Sequence, residues 1–315
     1  MRKTCLDMVY ELAKKDERIF FLGSDLGVGT LRSFKEEMPD RFFMEGVSEA
    51  NLVGMACGLA MEGKIVYANT IATFLTRRCF EQIVLDACLH KANIRLIGNG
   101  GGLVYAPLGP THLAIDDIAI LRAIPNMTIV APCDADEMKR LMPQTVNYPG
   151  PVYIRLAKGY DPVVSTDDIP FQIGKAMPVR QGKDVLIITT GITLRVALQA
   201  VDMFKEQDID PMILHVPTIK PLDEEAILKY AREIPAIVAI EEHTIMGGLG
   251  SAVAELIAEA DFEERKCFKR IGIPDTFAEK YGSQDSLMED YQITSENLVS
   301  VVKQLKENIR EQCIG

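Results

Sequence analysis

The strongest constraint on the fold is a regular alternation of short apolar strands and amphipathic helical patterns along the chain. The strands are nearly continuous apolar runs, which is typical of parallel strands covered by helices on both faces. The predicted strands in the first half are 19–22, 42–44, 64–68, 94–98, 127–131 and 152–155. A second set follows at 185–190, 212–216, 236–241 and 268–271. The sequence therefore predicts an α/β protein built on mainly parallel sheets.

A break between the two sets of strands predicts two domains. The stretch 161–183 has no long apolar period and contains Pro162, Pro170 and Gly182. Because proline and glycine interrupt helices and strands, we interpret this stretch as a linker. A chain of 315 residues is also long enough to bury two cores. We expect two doubly wound α/β domains, a larger one at residues 1–160 and a smaller one at residues 184–315.

The segment 46–63 combines a helix signal with an unusual lack of bulk. Ser48 is a suitable N-cap, and apolar residues follow it at helical spacing. Gly54 and Gly58 each cost about 1 kcal/mol of helix propensity, so we expect another backbone or a ligand to pack closely against this helix. Glu49 lies in the first turn, where a carboxylate can accept a proton or a hydrogen bond from a bound molecule. A simple helix-capping role for Glu49 is the alternative.

A second unusual segment is the loop 99–112, which is rich in glycine and proline. It is longer than an ordinary connection and follows a strand, where parallel sheets place ligand sites. It ends at His112, which could transfer protons or have only a structural role. The loop has no Gly-x-Gly-x-x-Gly pattern, so a dinucleotide site is not expected. Gly247–Gly250 is a better candidate for an anion site, although a tight packing turn is the simpler explanation.

Composition and charge exclude several classes of function. The formal net charge is −11 and no run of Lys and Arg compensates it, so nucleic-acid binding is not expected. No segment reaches about 18 uninterrupted apolar residues, and the first residues lack a signal-peptide pattern, so we expect neither membrane spanning nor secretion. The seven cysteines are scattered without a Cys-x-x-Cys pair, which favours reduced thiols in the cytoplasm over disulfides or a zinc site. A small molecule or another protein is the expected partner.

Several short motifs occur in a characteristic order along the chain. In the first domain they are Leu22-Gly-Ser-Asp-Leu26, Gly46-Val-Ser-Glu49, Thr73-Phe-Leu75, Gly109-Pro-Thr-His112, Leu121-Arg-Ala-Ile-Pro125 and Gly150-Pro-Val-Tyr-Ile-Arg155. In the second domain they are Ile219-Lys-Pro-Leu-Asp223 and Glu241-Glu-His-Thr-Ile-Met-Gly-Gly-Leu-Gly-Ser251. Together they resemble the C-terminal half of the transketolase family, which includes 1-deoxy-D-xylulose-5-phosphate synthase. The chain looks like the pyrimidine-binding and C-terminal domains of such an enzyme, encoded as a separate subunit.

The resemblance implies chemistry based on thiamine diphosphate. The family acid that matches Glu49 contacts N1′ of the cofactor's aminopyrimidine and favours loss of the thiazolium proton. Phe74 matches an aromatic residue that stacks on the pyrimidine, and Phe80 is a weaker candidate for the same site. Asp25, in the first motif, is also assigned to the cofactor site. Mg²⁺ is expected with the cofactor, with its ligands on a partner subunit and none on this chain.

The resemblance also implies positions for a sugar or sugar-phosphate substrate. His112 matches a histidine that hydrogen-bonds substrate oxygens and helps to move protons as the ketose C2–C3 bond breaks and re-forms. Arg155, Lys158 and Arg2 match basic residues that would anchor a phosphate or another anion. For Arg155 and Lys158 a solvated ion pair is the alternative. Leu108 stands where many transketolases have an aspartate that recognises a donor hydroxyl, so the usual ketose-phosphate donor is not implied.

The sequence contains no Gly-Asp-Gly, a motif of the diphosphate-binding half of such enzymes. The resemblance therefore implies a split enzyme that transfers a two-carbon ketol unit between sugar-like substrates only with an N-terminal, diphosphate-binding subunit. We expect homodimers of this chain and a heterotetramer with two copies of each subunit. Two alternatives stay open: the β subunit of a 2-oxo acid dehydrogenase's decarboxylase component, and a partner subunit without catalytic function.

Overall fold

The computed structural model describes residues 1–24, 31–157 and 161–312. The described strands of the first half are β1 (Ile19–Gly23), β2 (Phe42–Met44), β3 (Ile65–Ile71), β4 (Ile94–Asn99), β5 (Thr128–Val130) and β6 (Val152–Leu156). Its helices are α1 (Arg2–Ala13), α2 (Arg32–Glu37), α3 (Glu49–Met61), α4 (Phe80–Gln82), α5 (Asp117–Arg122) and α6 (Ala135–Val146). Two π-helical turns, Phe74–Arg78 and Ile83–Leu89, flank α4. The predicted alternation in this half is confirmed.

The second half continues the same alternation with a smaller set of elements. Its described strands are β7 (Met177–Arg180), β8 (Val185–Thr189), β9 (Pro211–His215), β10 (Thr218–Lys220), β11 (Ala236–Thr244) and β12 (Cys267–Ile273). Its helices are α7 (Thr193–Lys205), α8 (Glu224–Glu233), α9 (Leu249–Glu259), α10 (Gln284–Asp290) and α11 (Ser295–Gln312). Strands β8, β9 and β11 are almost completely buried, as expected for strands with helices on both faces.

The strands form two sheets that are parallel except at one edge each. The seven-stranded sheet has the order β10-β5-β6-β4-β3-β1-β2, and the five-stranded sheet has the order β12-β11-β8-β9-β7. Only β10 and β7 pair in the antiparallel direction, with β5 and β9 respectively, among the described residues. The predicted fold class, two α/β domains with mostly parallel sheets, is therefore confirmed.

Two details of the predicted domain organisation are wrong. Residues 177–180, inside the predicted linker, form β7 and belong to the second sheet. Strand β10 comes from the second half of the chain but extends the first sheet. Both strands are very short edge strands, so they give almost no periodic signal in the sequence. The two domains are also joined by one continuous apolar core, which includes Leu6 of α1 and Ala197 of α7.

Helix α3 forms where the sequence predicts it, but its N-terminus differs in detail. The Ser48 hydroxyl donates to the Glu45 carbonyl at 2.8 Å and does not cap a backbone N–H of the helix, so the predicted capping is wrong. Leu52 faces the core, whereas a Cβ added at Gly54 or Gly58 would meet no atom within 4 Å. The close packing expected at these glycines is therefore not made by the residues that the structure describes. This face of α3 is open to another molecule.

No helix in the described ranges combines the length and the apolar character that a membrane span requires. The longest, α11, has 18 residues and is strongly charged.

Candidate active site

Three predicted residues meet at the carboxyl edge of the first sheet. Glu49 begins α3 after β2, Phe74 follows β3, and His112 ends the long loop after β4. Strands β2, β1, β3 and β4 are parallel neighbours, so their carboxyl ends lie side by side. This edge is where open α/β sheets place their ligands. The topology explains why residues far apart in the sequence are close in space.

Glu49 is nearly buried and has one charged partner. Its side chain is 5% exposed, and Arg78 Nη1 donates a hydrogen bond to Glu49 Oε2 at 3.1 Å. The Arg78 side chain is 50% exposed, so solvent weakens this ion pair. Glu49 is also the first residue of α3, where the helix dipole favours a negative charge. The result is a buried carboxylate whose only ion-pair partner in the described residues can be displaced.

The π-helical turn Phe74–Arg78 places a cation over an aromatic ring. Arg78 Cζ lies 4.0 Å from the centroid of the Phe74 ring, which is a close cation–π contact. Turns of this kind are rare and are frequent at functional sites. Because Arg78 also bonds to Glu49, one guanidinium links the carboxylate and the aromatic ring.

His112 completes the cluster from the other side of Phe74. The two ring centroids are 5.1 Å apart at 64°, an edge-to-face arrangement. The Thr111 hydroxyl oxygen lies 2.9 Å from His112 Nδ1, and the Tyr105 ring lies 6.5 Å from the imidazole. Burial raises the pKa of the Tyr105 phenol, and Arg2 opposes this shift through its charge and a hydrogen bond. Arg2 is therefore next to the loop that carries His112.

The same edge contains buried polar atoms that lack partners. Asn99 Nδ2 donates to Asn69 Oδ1 at 2.8 Å, which leaves Asn69 Nδ2 and Asn99 Oδ1 without a hydrogen bond in the described part of the chain. The hydroxyls of Thr70 and Thr73, at and after the end of β3, are also unpaired there. Native proteins pair nearly all buried polar groups, because an unpaired group costs about 1–3 kcal/mol. These atoms are available to a ligand or to another subunit.

Arg155, predicted to anchor a substrate anion, is instead part of a buried network between the domains. Its side chain is 7% exposed and Nε donates to Asp117 Oδ2 at 2.8 Å. Nη2 donates to the carbonyls of Ala114 and Glu242 at 3.2 and 2.9 Å. Tyr153 adds a hydroxyl hydrogen bond to Asp117 Oδ2 at 2.7 Å. This geometry favours a buried ion pair within the first domain over the predicted substrate contact, and the bond from Arg155 to the Glu242 carbonyl links that pair to the second domain.

Glu242 connects the second domain to the loop that carries His112. Its Oε1 accepts hydrogen bonds from the Leu103 N–H at 2.7 Å and from Gln284 Nε2 at 2.8 Å. Gly102, with φ of +66°, permits this approach, because an added Cβ would lie 2.5 Å from Glu242 Cδ. Burial raises the pKa of the Glu242 carboxyl to about 7, against a smaller opposing effect of Arg155. The second domain thus holds the active-site loop through a carboxyl that titrates near neutral pH.

The candidate anion site at Gly247–Gly250 is filled by the protein itself. The Glu241 carboxylate accepts hydrogen bonds from the N–H groups of Leu249 and Gly250 at 2.7 and 2.8 Å. A Cβ at Gly248 would lie 2.1 Å from Glu241 Oε2, so only glycine fits there. The N-terminus of α9 therefore has its anion already, and the simpler explanation as a packing turn is confirmed.

Of the remaining predicted residues that the structure describes, Phe80 does not join the cluster. Phe80 begins α4 and is 39% exposed, and no ring contact within the described residues joins it to Phe74 or His112. Asp25 and Lys158 lie outside the described residues. Leu108 is half exposed in a short 3₁₀ turn of the loop before His112.

Family profiles match both parts of the chain. The transketolase pyrimidine binding domain matches residues 1–160, and the transketolase C-terminal domain matches residues 174–298. The chain belongs to the transketolase family. The second match begins before β7, in agreement with the place of that strand in the second sheet of this transketolase-family fold.

Curated relatives include separately encoded transketolase subunits. The chain is 36% identical to a 6-deoxy-6-sulfo-D-fructose transketolase subunit from a Clostridium species, over 98% of this chain and 94% of that protein. It is 40% identical to a subunit of the apulose-4-phosphate transketolase from Phocaeicola vulgatus, over 87% of each. It is 35% identical to 1-deoxy-D-xylulose-5-phosphate synthase from Heliobacterium modesticaldum, but covers only 47% of that longer enzyme.

Solved structures of the transketolase family share the fold. A split-gene transketolase described as an inactive β4 tetramer superposes with a TM-score of 0.88 at 34% identity, over 97% of this chain and 98% of that one. The Pichia stipitis transketolase in complex with sedoheptulose 7-phosphate superposes with a TM-score of 0.81 over 98% of this chain and 46% of that one. At 16% identity, the second likeness concerns the fold alone. The chain corresponds in size and fold to a separately encoded C-terminal transketolase subunit.

Reasoning from the sequence missed three features of this transketolase-family site. Arg78, Tyr105 and the Asn69–Asn99 pair were not among the predicted site residues. Arg78 had a usable signal, because it lies four residues after Phe74 and long side chains at that spacing can meet on a helix. The Asn pair had none, because the two residues approach only when β3 and β4 pair.

Proposed function

We propose that this chain supplies the aminopyrimidine-binding half of the active site of a split transketolase. The enzyme would transfer a two-carbon ketol unit between sugar-like substrates. The observation that carries the proposal is the continuous cluster of Glu49, Arg78, Phe74 and His112. It sets a buried carboxylate, an aromatic ring and an imidazole at one sheet edge. These are the three groups that the chemistry needs from this subunit.

The residues at this edge fit thiamine diphosphate. When bound, this cofactor supplies a nucleophilic carbon in its thiazolium ring. Glu49 would hold or move a proton at N1′ of the aminopyrimidine, a role suited to a carboxylate that is 5% exposed. The flat face of Phe74 would pack on the pyrimidine ring. The unpaired atoms of Asn69 and Asn99 are further hydrogen-bonding groups at the same edge.

Arg78 contacts both of the groups that would hold an aminopyrimidine. It bonds to the Glu49 carboxylate and lies 4.0 Å from the Phe74 ring centroid. We infer that the guanidinium moves aside when a cofactor ring takes these contacts. Because the Arg78 side of this pair is half exposed, solvent weakens the pair, and its displacement costs only about 1 kcal/mol. Arg78 would thus shield the carboxylate in the chain without ligand.

His112 is the proposed contact to substrate. It lies on the loop side of Phe74, and its imidazole can hydrogen-bond substrate oxygens and move protons between them. Arg2 of α1 lies beside Tyr105, which is on the same loop as His112. Arg2 is the proposed anchor for an anionic group. Two relatives are named for sugars that carry a sulfonate or a phosphate. We therefore propose an anionic sugar as the substrate class.

The proposed enzyme needs a partner subunit. A diphosphate and its Mg²⁺ require oxygen ligands and a cradle of donors, and the matched domains here are only the pyrimidine-binding and C-terminal ones. The chain also covers only about half of the longer relative. We propose an N-terminal, diphosphate-binding subunit as the source of the Mg²⁺ ligands. Without it, the buried charge of the diphosphate would not be compensated.

An apolar surface next to the site suits such an assembly. Helix α3 packs against the π-helical turn Ile83–Leu89. Exposed apolar side chains on and beside these two elements include Val47, Met61, Leu85 and Leu89. Clusters of this kind mark subunit interfaces more often than free surface. We propose that this surface joins two copies of the chain within a heterotetramer that has two copies of each subunit.

We also infer a role in carbohydrate metabolism in the cytoplasm. The relatives named above act on sugar derivatives. The six cysteines in the described ranges are unpaired, which suits a reducing compartment. Fractionation of cells with an antibody to the chain tests the location.

Reconstitution tests the proposed function. The chain, a candidate diphosphate-binding subunit from the same organism and their mixture are each titrated with thiamine diphosphate and Mg²⁺ by calorimetry, and two-carbon transfer between anionic sugars is assayed. We expect saturable binding and transfer by the mixture, and neither by the chain alone. Tight cofactor binding and transfer by the single chain would refute the split-enzyme proposal.

A further inference from the structure

A second cluster of reactive side chains lies apart from the active site, at the seam between the domains. Cys133 follows β5 of the first sheet, Glu137 is in the first turn of α6, and His215 ends β9 of the second sheet. All three are buried. Their ligand atoms, Cys133 Sγ, a Glu137 oxygen and a His215 nitrogen, lie within 4.8 Å of one another. Hydrogen bonds to one oxygen of Glu137 hold the backbone of Cys133 and the ring of His215 beside it.

The side chains are already oriented toward one point. The Cys133 N–H donates to Glu137 Oε2 at 2.6 Å, which holds the carboxylate beside the thiol. His215 Nε2 lies 3.3 Å from the same oxygen. On the other side of the ring, His215 Nδ1 lies 2.9 Å from the Thr189 hydroxyl. Metal-binding histidines are oriented in this way, with the second ring nitrogen hydrogen-bonded to a fixed partner.

One oxygen of Glu137 lacks a partner. Glu137 is 0% exposed, yet Oε1 makes no hydrogen bond within the described part of the chain. Its only ion-pair contact there is with His215, and no Lys or Arg of the described residues pairs with it. The neighbouring Asp134 carboxylate is satisfied by backbone and Ser165 donors, so it adds negative charge without needing a ligand. The cluster therefore contains a buried carboxylate oxygen and lacks a strong cation.

We propose that Cys133 Sγ, Glu137 and His215 Nε2 bind a divalent transition-metal ion of the zinc class. Sulfur, nitrogen and oxygen ligands together suit Zn²⁺ and Co²⁺, whereas Mg²⁺ prefers oxygen alone. Ligand atoms around Zn²⁺ are about 3.3–3.8 Å apart, given bonds of about 2.0–2.3 Å. The three ligand atoms, which lie within 4.8 Å of one another, need to approach by at most about 1–1.5 Å to reach this spacing. The fourth tetrahedral position is taken by a water molecule.

The binding step balances without a redox partner. The hydrated ion exchanges all but one of its water ligands for bonds to the three side chains, the Cys133 thiol releases its proton to solvent, and His215 binds as neutral imidazole with Nδ1–H donating to Thr189. The negative charges of the thiolate and the Glu137 carboxylate then balance the double positive charge of the ion. Because His215 comes from the second domain and the other two ligands from the first, the ion would fasten the domains together.

Metal titration of the full chain tests this site. After chelator treatment, the protein is titrated with Zn²⁺ and separately with Co²⁺, with Mg²⁺ in excess as competitor. We expect one tightly bound ion per chain, a thiolate-to-cobalt charge-transfer band and a higher melting temperature. Cys133→Ser should abolish the band, and Thr189→Val should weaken binding by about 10–100-fold. Cys88→Ser, which alters another buried thiol, should change neither.

Three outcomes would overturn the site. They are no bound ion in the wild type, bound cobalt without a thiolate band, and equal binding by Cys133→Ser and Cys88→Ser, which would indicate an adventitious ion only. If Cys133→Ser does not fold, Thr189→Val decides, because unchanged affinity in that variant contradicts the proposed His215 ligand. None of these readouts uses enzymatic activity, so they are independent of the ketol-transfer proposal.

Discussion

The sheet edge around Glu49 and the domain interface around Arg155 contain similar charged groups in opposite states. At the edge, the cation paired with Glu49 is half exposed and buried Asn and Thr atoms lack partners within the described ranges. At the interface, Arg155 and Asp117 are both buried and bonded to each other, and the Glu242 carboxyl accepts two hydrogen bonds. The first set of groups is available to a ligand, whereas the second is used to join the domains.

The comparison teaches that residue type alone does not identify a site. Arg155 lies near the end of strand β6 of the first sheet and belongs to a motif that resembles the family, so the sequence places it with the substrate. In the structure its donors bond to Asp117 and to two carbonyls inside the protein. The availability of a charge, which depends on the neighbours that folding brings, separates the two regions. The following variants test that separation.

Among these variants, Arg155→Met should have the largest effect, and the property that it changes is the stability of the fold. Removing one partner of a buried pair leaves Asp117 uncompensated, so the free energy of unfolding should fall by about 3–5 kcal/mol in urea titrations. The control Arg32→Met removes the ion pair between Arg32 and Glu36, whose side chains are 82% and 60% exposed. It should change the free energy of unfolding by less than about 1 kcal/mol. The double variant Asp117→Asn/Arg155→Met should recover part of the loss. Equal effects of the two single variants would remove the contrast.

Glu49→Gln should have the largest effect on catalysis. The amide cannot hold and release a proton at N1′, so turnover of the reconstituted enzyme should fall about 100-fold or more. Circular dichroism and the melting temperature should stay close to those of the wild type, because the shape of the side chain is kept. Normal turnover would support the alternative in which Glu49 only caps α3.

Glu242→Gln should stabilise the protein at high pH. The pKa of this carboxyl is about 7 in the folded chain and 4.5 in the reference state, so the folded form binds the extra proton between these values. Stability of the wild type should therefore fall as pH rises from about 4.5 to 7. At pH 8 the free energy of unfolding should be about 3 kcal/mol larger for the variant than for the wild type, and the difference should nearly vanish near pH 4.5. A constant difference at both pH values would contradict the shift.

His112→Ala should reduce ketol transfer by about 10-fold while leaving the affinity for thiamine diphosphate nearly unchanged. The reason is that His112 lies on the loop proposed to receive substrate and meets the Phe74 ring edge to face, so it does not cover the flat face proposed for the cofactor. Calorimetry and the transfer assay on the reconstituted enzyme measure the two effects, with exposed His90→Ala as the control. Lost cofactor binding with normal transfer at saturating cofactor would make His112 a cofactor residue.

Arg78→Ala should have the smallest effect. If the guanidinium must leave Glu49 and Phe74, its removal should tighten cofactor binding about two- to fivefold, as expected for an ion pair of about 0.5–1 kcal/mol whose cation is half exposed. Calorimetry on the reconstituted complex measures it. Weaker binding would show that Arg78 holds the cofactor and does not shield its site.

Much of the fold was predictable from the sequence. Long parallel strands appear as apolar runs, and helices appear as apolar residues repeated at helical spacing. The edge strands β7 and β10 were not, since three or four residues carry no period. At the site, the first-turn position of Glu49 and the loop position of His112 were visible in sequence. The network of Arg155 was not, because Asp117 and Glu242 reach it only after both sheets have formed.

The most direct test of the central claim is hydrogen–deuterium exchange at the thiazolium carbon of thiamine diphosphate in the reconstituted complex. The rate is compared for the wild type, Glu49→Gln and Glu224→Gln, which alters the exposed first residue of α8. We predict exchange at least about 100-fold slower for Glu49→Gln and unchanged for Glu224→Gln. Exchange by Glu49→Gln as fast as by the wild type would contradict the assignment of this sheet edge as the functional half-site.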